Sequence, residues 1–457
     1  MVFSSLTFLV IFLPVFLLVY YAVPGRFVKS KNLVLLLFSL FFYAAGEPVW
    51  VVILIFSGLW DYVIGLHITR YRGKWQSKVL LLLSMCGNLG LLVLFKYGAF
   101  FLSIVNISTT FAATLPIGIS FYTFQTMSYT LDLYKGGVKP QRDPIAFMSY
   151  VAMFPQLVAG PIVRYADVED RLTSRRVTAA GFSAGITRFA AGLAKKVLLA
   201  NHAGSVAAEL LGVNAANASV TGVWLGTLMF MFQIYFDFSG YSDMAIGLGK
   251  MIGFDFKENF DHPYTSKSIT EFWRRWHISL GSFFRDYLYI PLGGNRKRVL
   301  FNLLFVWFLT GLWHGASFNF IIWGMYFGVI LIIEKYLLQG ILQKIPVVFA
   351  RLYSLLIILF GWLIFYFTDL GILAVFAARF WGFSGYFTDH RTTELFLANL
   401  WILPVLMLFS TKIPLRFTRR LRDILPCSEY IINAGLLAVS FALIIGQSFN
   451  PFLYFRF

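Results

Sequence analysis

The stretch Phe301-Asn302-Leu303-Leu304-Phe305-Val306-Trp307-Phe308-Leu309-Thr310-Gly311-Leu312-Trp313-His314-Gly315-Ala316-Ser317 opens an apolar run that continues to Ile333 without one Asp, Glu, Lys or Arg. That exceeds the roughly 20 apolar residues needed to cross a hydrocarbon core, so the run is read as membrane-embedded, either one crossing or a hairpin. Its one imidazole, His314, lies near the middle. An ionisable group at that depth is costly and is a functional candidate by default.

Working outward, further long apolar runs lie near residues 6–23, 49–68, 219–236, 347–367, 394–410 and 430–449, with shorter ones near 32–45, 79–95, 117–131, 145–163 and 189–212. The 457-residue chain is 59% hydrophobic and 13% charged, too few polar side chains to cover a water-facing surface. The fold class is therefore an all-α polytopic integral membrane protein, a single membrane domain over 1–457 with about eleven transmembrane or half-membrane helices. The charge of 38 − 21 = +17 comes from short basic clusters between apolar runs, the pattern of cytoplasmic loops and not of a nucleic-acid footprint. No nucleic acid is expected as partner. Cys86 and Cys427 offer no metal spacing, and residues 1–23 lack the basic start and cleavage pattern of a signal peptide. Internal repeats, Walker and GxGxxG patterns are absent from the chain, which disfavours repeat-built transporters and soluble phosphate chemistry.

Basic loops set an orientation. Arg26, Lys29 and Lys31, then Arg70, Arg72, Lys74 and Lys78, and later Lys412, Arg416, Arg419, Arg420 and Arg422 mark the cytoplasmic side, with the N-terminus and the tail 450–457 outside it. Two runs resist a simple crossing. Phe147 to Val163 and Ile278 to Gly294 each have bases on both flanks and carry Pro155, Gly160 and Pro161, or Pro291, Gly293 and Gly294. Both are expected to dip in and return, which irregular backbone tolerates only when buried in protein or lining a wet cavity.

Three places within the apolar and loop segments could carry chemistry. His314, held neutral by apolar surroundings, can take a proton from a hydroxyl, and Gly311 and Gly315 beside it would let a substrate approach the backbone. Otherwise it is a core histidine with one hydrogen bond. His277 follows Glu271-Phe272-Trp273-Arg274-Arg275-Trp276, a run that could equally lie on the membrane surface. It precedes His314 by 37 residues with no ligand set nearby, so no metal is expected. Asp237 with Tyr241, and Ser239 with Asp243, share helix faces by their spacing of four, a polar stripe that either contacts substrate or forms a structural network.

Taken together, Phe154-Pro155-Gln156-Leu157-Val158-Ala159-Gly160-Pro161-Ile162, the Asp237–Asp243 stripe, Phe272 to His277, Arg285 to Asn295 and Gly311 to Asn319 resemble the membrane-bound O-acyltransferase family. The likeness is to its bacterial branch that acetylates exported polysaccharides such as alginate. It implies a ring of tilted helices around a central funnel with re-entrant segments, in a multi-pass protein of the bacterial cytoplasmic membrane. It also implies His314 as the essential catalytic histidine, His277 as the second, and Asp237, Ser239, Asp243 and Trp313 near substrate. Acetyl-CoA would be the acyl donor with no bound cofactor, its phosphates met by loop bases such as Arg274, Arg275, Arg296, Lys297 and Arg298. An extracytoplasmic partner of the SGNH hydrolase type is expected to complete transfer to the polysaccharide acceptor.

The chain ends Phe452-Leu453-Tyr454-Phe455-Arg456-Phe457, similar to the aromatic tail of polysaccharide-acylating members. A phenol with a pKa of about 10 makes an activated ester, so Tyr454 is a candidate acyl carrier as well as a candidate interfacial anchor. Peptidoglycan or cellulose O-acetylation, teichoic-acid D-alanylation, a lipid acyltransferase and, from another class, a polysaccharide transporter or flippase remain alternatives.

Overall fold

The computed structural model describes residues 1–104, 115–446 and 452–453, and among them all regular structure is helical. Five helices, Val51–Arg70, Trp75–Tyr97, Phe318–Lys344, Val347–Tyr366 and Ser428–Ile445, are long and apolar enough to cross a membrane. The pair His390–Ala398 and Ile402–Phe409, bent by 63°, makes a sixth if taken as one broken span. The chain is thus a polytopic helical membrane protein. Several apolar runs that the sequence counts toward eleven form shorter helices, among them Thr7–Ala22 and Val299–His314. At 1.5 Å per residue, 16 residues reach about 24 Å, short of a hydrocarbon core of about 30 Å.

The chain divides into two compact units. In the first, Met1–Leu193 with Tyr241–Lys257, a buried polar knot ties three helices. Ser84 Oγ and Asn88 Nδ2 each donate to the Asp61 carboxylate at 2.6 Å, and Thr126 Oγ1 donates to Asn88 Oδ1 at 3.1 Å. Asp61, Ser84, Asn88 and Thr126 are essentially inaccessible, so leaving any of them unpaired in apolar surroundings would be costly. The expected dip at 147–163 is broken at Met153 between Pro144–Ala152 and Phe154–Leu157, and every residue from 146 to 163 is buried. Phe154 sits among Phe12, Phe16 and Phe42 at ring distances of 5.3, 5.0 and 5.6 Å. Irregular backbone persists here because protein covers it.

The second unit contains Ala194–Gly240 and Glu258–Leu443. Its centre is a helical hairpin, Val299–His314 and Phe318–Ile333, which settles the run 301–333 as two helices. Gly311 faces the Phe320 carbonyl so closely that an added Cβ would stand 2.3 Å from that oxygen, and Gly324 faces the Trp307 carbonyl at the same distance. The pairs run antiparallel, and glycine at both crossing points lets the backbones touch.

Candidate active site

His314 is the last residue of the helix Val299–His314, because Gly315 turns to extended backbone at φ −173° and Ser317 begins the next helix. Its ring is buried among aromatics, 4.9 Å from Trp313, 4.9 Å from Trp323 and 5.3 Å from Phe365. The carbonyl end of a helix favours positive charge within its last turn. A ring there is placed to accept a proton and carry the charge that follows.

His277 joins the helix Ile269–Arg275 to the helix Ile278–Phe284 and holds a left-handed backbone at φ 45°, ψ 54°. Ser268 starts the first helix by accepting the Glu271 N–H at 3.0 Å, a normal N-cap. A second clamp comes from Glu334, whose carboxylate accepts the N–H groups of Ile269 and Thr270 at 2.6 and 2.8 Å. The His277 imidazole is almost inaccessible, with Nδ1 3.2 Å from Asn259 Oδ1. That oxygen also accepts the Ser279 N–H at 3.2 Å and its hydroxyl at 2.8 Å. A backbone N–H can only donate, so the Asn259 amide orientation is set and His277 Nδ1 carries the proton. Nε2 is then the ring nitrogen with the lone pair.

The segment around Asn259 is pinned from both sides. Ile278 N–H donates to Asn259 O and Asp261 N–H to Arg275 O, each at 3.0 Å. Partial burial would raise the Asp261 carboxyl, but the hydrogen bond and charge of Lys412 outweigh it and hold it below the usual carboxylate range.

Both histidines line one cavity of about 1230 Å³ in the second unit, with Trp273, Trp276 and Trp307 in its wall. Trp313 stands between their environments, 6.0 Å from His277 and 4.9 Å from His314. Four bases, Lys267, Arg274, Arg285 and Lys335, also line it. Of the basic residues singled out from sequence, Arg274 is in the lining, whereas Arg275 binds Glu271 at 2.6 Å and Arg296, Lys297 and Arg298 are outside the lining. Gly311 and Gly315 are not open to a substrate as expected: the Phe320 backbone and ring cover them, since helix packing needs that space.

The polar stripe is placed elsewhere. Asp237 is salt-bridged to Lys196 at 2.6 Å and Asp243 to Arg188 at 2.7 Å. Asp237, Ser239 and Asp243 are buried and are not among the cavity-lining residues. Tyr454 lies outside the described residues, but Phe452 is buried with its ring 4.8 Å from that of Tyr241. Asn259, Ser279 and Glu334 escape sequence reasoning. Only Glu334 leaves a signal, as the first acid after a 33-residue run with no charge other than an imidazole.

Fold and cavity define a polytopic membrane protein with two histidines on one cavity. The model of the membrane-bound O-acyltransferase family matches residues 139–377. Over the full length of both chains the protein is 40% identical to the probable alginate O-acetylase AlgI of Pseudomonas putida and 38% identical to that of Azotobacter vinelandii. It is 35% identical to the peptidoglycan O-acetyltransferase of Helicobacter pylori, across 73% of this chain and 70% of that protein. The chain belongs to the membrane-bound O-acyltransferase family and is an O-acyltransferase.

Proposed function

We propose that the protein takes acetyl groups from acetyl-CoA on the cytoplasmic side and passes them outward for O-acetylation of an exported polysaccharide of the alginate type, in a bacterial cytoplasmic membrane. The observation that carries this reading is the convergence of His277 and His314 on one cavity that four bases also line. His314 acts as general base. The acceptor oxygen bonds to the acetyl carbonyl carbon, its proton moves to the imidazole, the C–S bond breaks, and the departing CoA thiolate recovers the proton. His277, with Nε2 as acceptor and Nδ1 fixed by Asn259, orients or relays at the same cavity. Lys267, Arg274, Arg285 and Lys335 offset the donor's phosphate charge.

Tyr454 is the proposed acceptor of this first transfer, leaving a phenyl ester for an extracytoplasmic SGNH-type partner to hand to the sugar. The burial of Phe452, two residues before it, supports a tail held by protein and not merely anchored at a lipid interface. The about eleven crossings and half-crossings and the single functional domain belong to the same reading. Peptidoglycan as acceptor is the second reading, favoured by the Helicobacter relative.

The test is intact-protein mass spectrometry after incubation with acetyl-CoA, for wild type, His314→Ala and Tyr454→Phe. A gain of about 42 Da mapping to Tyr454 and lost in both variants is expected. CoA release that persists in His314→Ala removes the base. Wild type without an adduct, releasing CoA only when partner or sugar is added, removes the carrier. Purified alginate and peptidoglycan offered as acceptors separate the two readings.

A further inference from the structure

The helix Ile413–Ile424, Ile-Pro-Leu-Arg-Phe-Thr-Arg-Arg-Leu-Arg-Asp-Ile, lies outside everything assigned above. Ile413, Phe417, Leu421 and Ile424 recur at spacings of four, four and three and so form one stripe. Arg416, Arg419 and Asp423 lie off that stripe, and Arg420, three residues from Phe417 and four from Ile424, borders it. No residue of the helix is buried, and Phe417 and Ile424 are 66% and 74% exposed. Arg416, Arg419 and Arg420 make no ion pair among the described residues, while Arg422 reaches Glu429 at 3.7 Å. Among the described residues the apolar stripe is therefore uncovered and Arg416, Arg419 and Arg420 have no ion-pair partner.

Neighbouring elements say where this helix sits. Three residues, 410–412, separate it from the apolar helix Ile402–Phe409, and three more, 425–427, from the membrane-spanning helix Ser428–Ile445. A helix so short-tethered to two membrane segments is held at the bilayer surface. Its entry end is fixed to protein, with Lys412 Nζ 2.7 Å from Asp261 and His262 Nδ1 3.3 Å from the Ser410 carbonyl oxygen. The excess of bases places it on the cytoplasmic leaflet. A short helix with a narrow apolar face, flanking arginines and one acid matches a bilayer surface bearing negative headgroups, since arginine stems lie along acyl chains while guanidiniums reach phosphate.

We propose that the helix Ile413–Ile424 is an interfacial docking element for anionic phospholipid, with Ile413, Phe417, Leu421 and Ile424 in the acyl boundary and Arg416, Arg419 and Arg420 on lipid phosphates. The full-length protein, with Cys86→Ser and Cys427→Ser, is spin-labelled at Phe417→Cys or, on another face, Thr418→Cys. It is then reconstituted in nanodiscs of phosphatidylcholine with or without phosphatidylglycerol. Accessibility to oxygen and to a water-soluble nickel chelate is read by electron paramagnetic resonance. With phosphatidylglycerol present, the label at 417 should gain oxygen access and lose nickel access relative to the label at 418. That difference should shrink when Arg416, Arg419 and Arg420 are all changed to Gln, and when phosphatidylglycerol is omitted. An unchanged thermal unfolding midpoint is expected for the triple variant because none of these residues is buried. As a second measurement independent of labelling, native mass spectrometry should find fewer phosphatidylglycerol molecules retained by the triple variant than by wild type. Equal nickel access at 417 and 418 in every lipid overturns the proposal, as does shielding at 417 that ignores both phosphatidylglycerol and the arginines.

Discussion

His277 carries a backbone conformation that an L-residue adopts at a cost of roughly 1–2 kcal/mol, and hydrogen bonds on both sides hold it there. Ile278 N–H reaches Asn259 O, and Gly281 N–H reaches His277 O at 3.1 Å. Strain and chemistry can be separated at this one position. His277→Gly and His277→Ala should lose acyl transfer alike, yet the glycine variant should be the more stable by about 1 kcal/mol because only the alanine retains a Cβ at positive φ. Thermal unfolding in detergent beside CoA release checks this, and equal stabilities would mean that the left-handed backbone is not imposed. Asn259→Ala tests the support. It removes the acceptor of the buried Ser279 N–H, at a cost of about 1–3 kcal/mol, and frees the His277 tautomer, so turnover should fall even in protein that remains folded. His277 and His314 are legible in the sequence because aromatic and glycine neighbours mark them over a few residues. Asn259 is not, since a loop amide 18 residues upstream meets the imidazole only through folding.

The hairpin of Val299–His314 and Phe318–Ile333 shows why elements are easier to read than their meetings. The apolar run 301–333 announces membrane helix by composition alone, but its break at 315–317 is set by Gly315 in extended backbone and by the contact of Gly311 with Phe320, which hydropathy does not record. For the same reason the sequence suggests glycines open to substrate where the structure shows glycines filled by a neighbouring helix. Gly311→Ala places a methyl 2.3 Å from the Phe320 carbonyl oxygen, and because that atom is backbone the two helices must separate. A loss of about 1–3 kcal/mol is expected, with acyl transfer reduced because His314 ends the displaced helix. Gly340→Ala is the control. Nothing lies within 4 Å of a Cβ there, so the change should stabilise by about 0.5–1 kcal/mol through helix propensity. Unfolding midpoints of the two variants moving the same way would remove the packing argument.

At the scale of the whole molecule, the 33-residue helix Val220–Ile252 contributes residues to each compact unit, and its two acids close an ion pair in each, the pair of Asp237 buried and that of Asp243 part-exposed at Arg188. Asp237 pairs with Lys196 inside the second unit, both side chains under 7% exposed, and Asp243 pairs with Arg188 inside the first. The sequence shows the acids but not the bases, which come from a segment some 40 to 55 residues earlier. It therefore leaves a substrate contact and a structural network equally open. Removing one partner of such a pair strands the other charge at about 3–5 kcal/mol, while neutralising both is far milder. Asp237→Asn alone should therefore cut the yield of folded protein sharply, and adding Lys196→Gln should restore much of it. The decisive measurement is acyl transfer per folded molecule in the double variant. Transfer retained near the wild-type level makes Asp237 a fastener between the helix and its neighbouring segment, away from the chemistry. Transfer lost from well-folded double variant, with unfolding midpoint recovered, would instead put the carboxylate itself on substrate, because geometry was restored and only the charge was not.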